Sequence, residues 1–188
     1  MTVADKQPAV WVISGPSGVG KGTVCNRLRE RRPDLHYSVS MTTRAPRPDE
    51  VDGTSYHFVT PEDFQDLVER GMLLEYAQVH GTNYYGTPRE PVEKALAQRT
   101  PVVLEIDLQG ARQVKQNMPE ARLVFLTPPS WDELVNRLRR RGTEDEATQE
   151  RRLETARMEL AARDEADHVV ENRAVEDTVS TLIGLMSL

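Results

Sequence analysis

GPSGVGKGT, residues 15–23, follows the apolar run Val10 to Ile13 and precedes a stretch in which Val24, Cys25 and Leu28 share one helical face. The interval from Gly15 to Gly20 and Lys21 matches the phosphate-binding (P-loop) pattern. A strand before it and a helix after it are the context that pattern requires. Glycines let the main chain turn with its N–H groups pointing inward. Those groups and the helix N-terminus form a cradle for an anion, and Lys21 reaches the outer phosphates. With motif and context both present, a glycine-rich turn that binds nothing is the weaker reading. The nucleotide-binding candidates are therefore Gly15, Pro16, Ser17, Gly18, Val19, Gly20, Lys21, Gly22 and Thr23. One position departs from the pattern. Gly22 stands where a Ser or Thr usually ligates magnesium, so Thr23 is left as a weak metal contact. Neither that hydroxyl nor an Asn-Lys-x-Asp base-reading motif is present, which counts against a GTPase switch.

Outward from this loop, short apolar runs alternate with helical patterns, as in an α/β fold. Val102 to Ile106, Leu123 to Leu126 and Val169 with Val170 read as further buried strands. Such fully apolar runs suit a parallel sheet covered by helices on both faces. Helices are expected from Arg89 to Gln98, from Ser130 (with Glu133 at capping-box spacing), from Glu146 to Arg163, and along Val175, Val179, Leu182, Ile183 and Met186. The stretch from Tyr37 to Gly86 breaks the rhythm. Ser38 to Thr43, Thr54 to Val59 and Leu73 to Val79 alternate like half-exposed strands, and Thr60, Pro61 and Asp63 open a short helix. This stretch reads as a small mixed β insertion. Gly142 to Thr148, between arginines, reads as a mobile segment joining two helices.

The whole chain has 188 residues, room for one domain and an insertion. Its 24 basic and 30 acidic residues leave a net charge of −6, which argues against nonspecific nucleic-acid or anionic-membrane binding. No apolar run approaches the ~20 residues of a membrane helix. The opening MTVADKQPAV lacks the basic and apolar regions of a signal peptide, and a single cysteine rules out an internal disulfide framework. A cytoplasmic setting is the simplest expectation. Cys25, Trp11 and Trp131 read as packing residues, and the four histidines lack metal-ligand spacing.

SVSMTTRAPR, residues 38–47, sets hydroxyls beside Arg44 and Arg47 in a proline-punctuated loop. Guanidinium forks match phosphate oxygens, yet by themselves these two read more readily as solvated arginines. Further stretches are GTSYHFV at 53–59, LLEYAQVHGTNYYGT at 73–87, LEIDLQGA at 104–111 and RLRRRGTEDE at 137–146. Taken together with the glycine loop, in this order and over nearly the whole chain, these stretches resemble the guanylate kinases in their bacterial form.

The resemblance implies an α/β, P-loop NTPase-like parallel sheet covered by helices, with an inserted small mixed β subdomain that binds GMP and an arginine-rich lid. The boundaries it suggests are 1–36 and 88–188 for the core, with the lid at about 137–152, and 37–87 for the insertion. It implies ATP and GMP as substrates, with no nucleic-acid or membrane partner, and GDP as product by direct in-line transfer. Magnesium is expected with ATP, held mostly by phosphates and water rather than by tight protein ligation. Arg44, Arg47, Tyr56 and Tyr85 then bind the GMP phosphate. Ser40, Glu75 and Thr87 surround guanine, whose imide N–H and exocyclic amine one carboxylate accepts together. Adenine would set a lone pair against that carboxylate.

Glu105 and Asp107 end a buried strand on one face, by period-two geometry. Without the resemblance, a pair of strand-end acids capping the helix that starts near Leu108 is the lesser alternative. With it, Glu105 belongs to the GMP side, and Asp107 there too or as a weak contact to a magnesium-bound water. Lys21, Arg44, Arg141 and Arg152 are the expected catalytic residues, the last two as the lid pair on the ATP phosphates. Asn172 is expected near adenine. Two competing readings carry less. A kinase-like docking module would have lost the lysine loop and lid, and a sugar-phosphate acceptor would not need the trio at 40, 75 and 87. Oligomeric state is left open.

Overall fold

The computed structural model describes residues 9–79, 83–140 and 146–187. In chain order the elements are β1 (Val10–Ser14), α1 (Lys21–Arg31), β2 (His36–Tyr37), β3 (Met41–Thr42), β4 (His57–Phe58), α2 (Pro61–Glu69), β5 (Leu73–Val79), β6 (Asn83–Pro88), α3 (Arg89–Ala97), β7 (Val102–Glu105), α4 (Leu108–Asn117), β8 (Arg122–Thr127), α5 (Trp131–Arg140), α6 (Glu146–Ala161), β9 (His168–Glu171) and α7 (Val175–Met186). A five-stranded sheet has the order β2-β7-β1-β8-β9, and a four-stranded sheet the order β4-β3-β6-β5. The fold is thus an α/β one, with a parallel sheet, helices and a smaller mixed sheet. Among the described residues, no helix is long and apolar enough to cross a membrane.

The chain divides into two compact units. One comprises Met1–Val10, Leu35–Leu104 and Gln109–Ala121; the other comprises Trp11–Asp34, Glu105–Leu108 and Arg122–Leu188. The expected insertion, 37–87, falls within the first and the expected lid, 137–152, within the second. The parts of that lid and of the segment Gly142 to Thr148 at 141–145 lie outside the described residues.

In the second unit, β1 pairs in parallel with β8 (Ile13 beside Val124), and β8 with β9 (Phe125 beside Val169). All five residues of β1 and four of the six in β8 are buried, which is why both read as apolar runs. Helix α1 buries Val24, Cys25 and Leu28, and α7 buries Thr178, Val179 and Leu182. The amide of Glu133 donates to the Ser130 hydroxyl at 3.2 Å, the cap expected from the spacing. Trp11 stacks on His168, and Trp131 carries the Arg157 guanidinium 4.8 Å from its ring centre, so both tryptophans pack as expected.

In the first unit, β3 runs parallel to β4 and antiparallel to β6, and β6 runs antiparallel to β5. The Thr60 side chain accepts from the Asp63 amide and Pro61 fills the first turn of α2, whose Phe64 is buried against β6. Strand β6 carries no apolar alternation and was not expected. NYYGTP holds a glycine and a proline, but Gly86 lies where a side chain would press on the Leu73 side chain and the Glu75 backbone, and Pro88 ends the strand opposite Leu73. Close approach at Gly86 and a strand-end position for Pro88 explain what the pattern hides.

Candidate functional site

In the second unit, parallel strands bring their carboxyl ends to one edge, where ligand sites of such sheets form. The loop leaves β1 there. Gly15 has φ +144°, and a Cβ on it would meet the Leu126 carbonyl oxygen at 2.5 Å. Gly20 starts α1 in the left-handed region with no side chain capping the helix. As at any helix start, the first amides of α1 have no intrahelical acceptor, and the positive end of the helix faces the loop. The Lys21 ammonium folds back on its own loop, donating to the carbonyls of Gly15 and, at 3.3 Å, of Pro16.

A carboxylate that the sequence reading did not single out also sits here. Glu159, on α6, accepts from the Ser17 amide at 3.3 Å. Burial raises its pKa above the ordinary carboxylate value, Asp107 raises it further, and Lys21 and the Ser17 amide offset part of the shift. Asp107 itself is half-buried. Glu105 lies beside the Cys25 thiol, with Lys21 and Arg29 in its field, and desolvation raises its pKa. Water still reaches its side chain. The Cys25 thiol is pushed well up by burial and then by Glu105, which makes it a core residue and a poor nucleophile.

Beside the loop lies a cavity of about 260 Å³, with Gly18, Gly20, Thr23, Arg137, Asn172 and Arg173 in its lining. Asn172 is buried. Its amide nitrogen donates to the Val19 carbonyl at 2.8 Å, and its amide oxygen accepts from the Thr178 hydroxyl at 3.0 Å. Arg137 donates to the Val19 carbonyl at 3.1 Å, to the Asn172 carbonyl at 3.3 Å and to Glu133 at 3.1 Å. Asn172 is a wall of the cavity, held in one orientation. Arg137, which read only as one of a basic run, anchors the loop from α5. Arg152 lies half-buried on α6, whereas Arg141 lies outside the described residues.

The first unit gathers a second set. Its register sets Thr42 opposite Tyr85, and Glu75 opposite Thr87. Residues two apart on a strand share a face, so Tyr85 and Thr87 point the same way from β6. Arg44, just after β3, donates to the Tyr85 hydroxyl at 3.1 Å, and its guanidinium carbon lies 5.5 Å from the Tyr56 ring centre. Tyr56 and Tyr85 meet edge to face at 5.8 Å. Arg44 also donates to both oxygens of Glu50, at 2.7 and 3.0 Å, and Glu50 takes the Arg47 amide at 2.8 Å. The hydrogen bond from Arg44 holds Glu50 below the ordinary carboxylate range, and Glu50 raises Arg44 in return. Nothing in the sequence distinguishes Glu50 from its acidic neighbours. The Arg47 side chain is exposed, and Ser40 is half-buried.

Glu75 is 4% exposed and accepts from the Thr87 hydroxyl. The strand is irregular between Leu73 and Glu75, so Leu73, Leu74 and Glu75 are all buried while Tyr76 is exposed. Glu75 faces inward in phase with the buried Ala77, opposite to the exposed Tyr76 and Gln78, and the irregularity accompanies the burial of its neighbour Leu74. The structure thus brings Arg44, Tyr56 and Tyr85 into one cluster and Glu75 and Thr87 into one buried pair.

The family described as guanylate kinase matches residues 7–187 of the chain. The chain is 57% identical to a guanylate kinase of Leifsonia xyli subsp. xyli, over 93% of this chain and 69% of that protein. It is 56% identical to one of Thermobifida fusca, over 97% and 93%. Among solved structures, a guanylate kinase from Anaplasma phagocytophilum aligns with a TM-score of 0.80 at 32% identity, covering 96% of this chain and 85% of that one.

Proposed function

The chain belongs to the guanylate kinase family, and from that premise we propose how its residues divide the work. It transfers the terminal phosphoryl group of ATP to the phosphate of GMP, giving ADP and GDP. The observation that carries the assignment of the acceptor base is the buried Glu75–Thr87 pair. A carboxylate out of water accepts guanine's two adjacent donors and repels adenine's lone pair, so its placement selects the base. Ser40 and Thr87 supply the hydroxyls around it. Arg44, Arg47, Tyr56 and Tyr85 bind the GMP phosphate, and their residues fall in the subdomain 37–87. The geometry that supports this is the guanidinium already aimed by Tyr85 and Glu50. Glu105 and Asp107 serve the acceptor side.

For ATP, residues 15–23 wrap the phosphates with main-chain amides, and Lys21 leaves its own carbonyls for the outer phosphates. Asn172 walls the cavity proposed for adenine. Arg141 and Arg152 belong to a lid at 137–152 that adds positive charge to the migrating group and keeps water from accepting it. The GMP phosphate is already ionised, so no side-chain base is required, and charge stabilisation with positioning does the catalytic work. Magnesium enters with ATP. The Thr23 hydroxyl and the Asp107 carboxylate are hard oxygen donors that suit it as outer contacts, and the ion neutralises phosphate charge. A cytoplasmic setting, with the lone Cys25 reduced in the core, belongs to the same proposal.

A coupled assay with ATP and a panel of monophosphates tests it. GMP should exceed AMP, CMP and UMP by at least about a thousandfold in kcat/KM. Glu75→Gln should lower the GMP value about a hundredfold, since it loses a charge-assisted acceptor for two donors. AMP phosphorylated nearly as well as GMP by the unaltered protein would sink the assignment.

A further inference from the structure

Strand β5 is an edge of the mixed sheet. Its inner edge pairs with β6, and its outer edge would expose bare N–H and C=O groups. Helix α4 covers that edge with two side chains. The Gln113 amide oxygen accepts from the Tyr76 N–H at 3.1 Å, and its amide nitrogen donates to the Tyr76 carbonyl at 2.6 Å. One amide thereby supplies the donor and acceptor that a neighbouring strand would have supplied. Asn117, one helical turn on, donates to the Leu74 carbonyl at 3.0 Å. The backbone is thus held on both sides of one residue, Glu75. We propose that Gln113 and Asn117 are positioning residues for guanine selection, fixing the backbone from which the Glu75 carboxylate is aimed.

The local structure makes such a clamp necessary. The irregularity between Leu73 and Glu75 breaks the β5–β6 ladder immediately before the residue whose carboxylate is to be aimed. A bulge bends its strand and leaves it less firmly paired. Two donors on one purine edge demand a carboxylate set within a few tenths of an ångström, and such precision comes from residues that lock the first contact in place. Thr87 holds the carboxylate end, across β6. Gln113 and Asn117 hold the main-chain end. Neither touches the nucleotide in this account, so their loss should alter selection and not the chemistry.

The inference rests on Glu75 as the reader of guanine, and the experiment separates the two claims. Gln113→Met keeps the volume and removes both hydrogen bonds, and Asn117→Ala is a milder second variant should the first fold poorly. Each is compared with Glu75→Gln for kcat, KM of GMP, KM of ATP and preference for GMP over IMP, which lacks the exocyclic amine. Gln113→Met should raise the KM of GMP about five- to tenfold and cut the GMP-over-IMP preference by a similar factor, with kcat and the KM of ATP within twofold. Asn117→Ala should do the same to a smaller degree. A fall in melting temperature with GMP KM and base preference unchanged would make the clamp merely structural and overturn the proposal, as would a parallel rise in both KM values. If Glu75→Gln itself leaves the base preference intact, the guanine reading fails. If Glu75→Gln abolishes it while both α4 variants keep it, only the positioning role fails.

Discussion

The two places proposed to bind phosphate differ in which part of the polypeptide would do the binding. At residues 15–23 the donors are main-chain amides, and the one cation, Lys21, rests on its own loop's carbonyls. Around Arg44 the donors are side chains, brought together from after β3, from before β4 and from β6. Each place holds a carboxylate, and the two carboxylates are in opposite states. Glu50 is ion-paired and its pKa is lowered by Arg44. Glu159 meets a single amide and its pKa is raised by burial. A side-chain site can provide its acid with a full partner. At the glycine loop the Ser17 amide and the field of Lys21 offset only part of the burial cost of Glu159, so its acid stays under-compensated.

The comparison breaks or sharpens at several points, the strongest first. Lys21→Ala should cut kcat about a thousandfold with little change in the KM of GMP, whereas Arg44→Ala should cut kcat/KM for GMP about a hundredfold, mostly through KM. Steady-state kinetics with each substrate varied will show it. An Arg44→Ala enzyme whose defect lies in ATP binding would reverse the two assignments. Next, Glu159→Gln should tighten ATP binding about fivefold in calorimetry and leave adenosine binding unchanged, because a competing charge is gone from the cradle. Weaker ATP binding would mean that the carboxylate braces the loop instead.

The smallest effects lie in the pH dependence of stability. Glu50 has a lowered folded pKa, so its contribution is present above the unfolded value near 4.5 and is lost as pH falls through the folded one. Glu159 has a raised folded pKa, so it carries a penalty above that pKa which vanishes as pH falls toward 4.5. Glu50→Gln should therefore lower the melting temperature at pH 7, and Glu159→Gln should raise it, each by about 1–3 °C. Both differences should close in acid, where a protonated Glu resembles Gln. Thermal unfolding between pH 3 and 8 checks the two signs, and equal signs at neutral pH would remove the contrast.

Much of the second unit was legible because its signals are short-ranged. β1 and β8 are apolar runs buried on both faces, and the Ser130 cap is a spacing of three residues. The first unit was legible in part. The strand at Leu73–Val79 and the helix after Thr60 stand where expected. Strand β6 was hidden because Gly86 is there for close approach and Pro88 ends the strand, which leaves no alternation to read. Glu50, Glu159 and Arg137 were missed for another reason. Each acts through a partner that folding brings to it, and an acid or an arginine in a charged stretch looks the same whether or not that partner exists.

By itself, the sequence determined that a main chain would curl around an anion between a buried strand and a helix. Glycine spacing, apolar runs and a lysine are local facts, and the torsions they permit do not wait for the rest of the fold. Tertiary structure decided what surrounds Glu75 and Arg44, the residues proposed to read the base and to hold its phosphate. Those surroundings depend on Thr42 lying opposite Tyr85, on Glu75 lying opposite Thr87, and on the burial of that pair. Strand register and burial are properties of packed neighbours, and a one-residue slip would turn every one of those side chains to the other face.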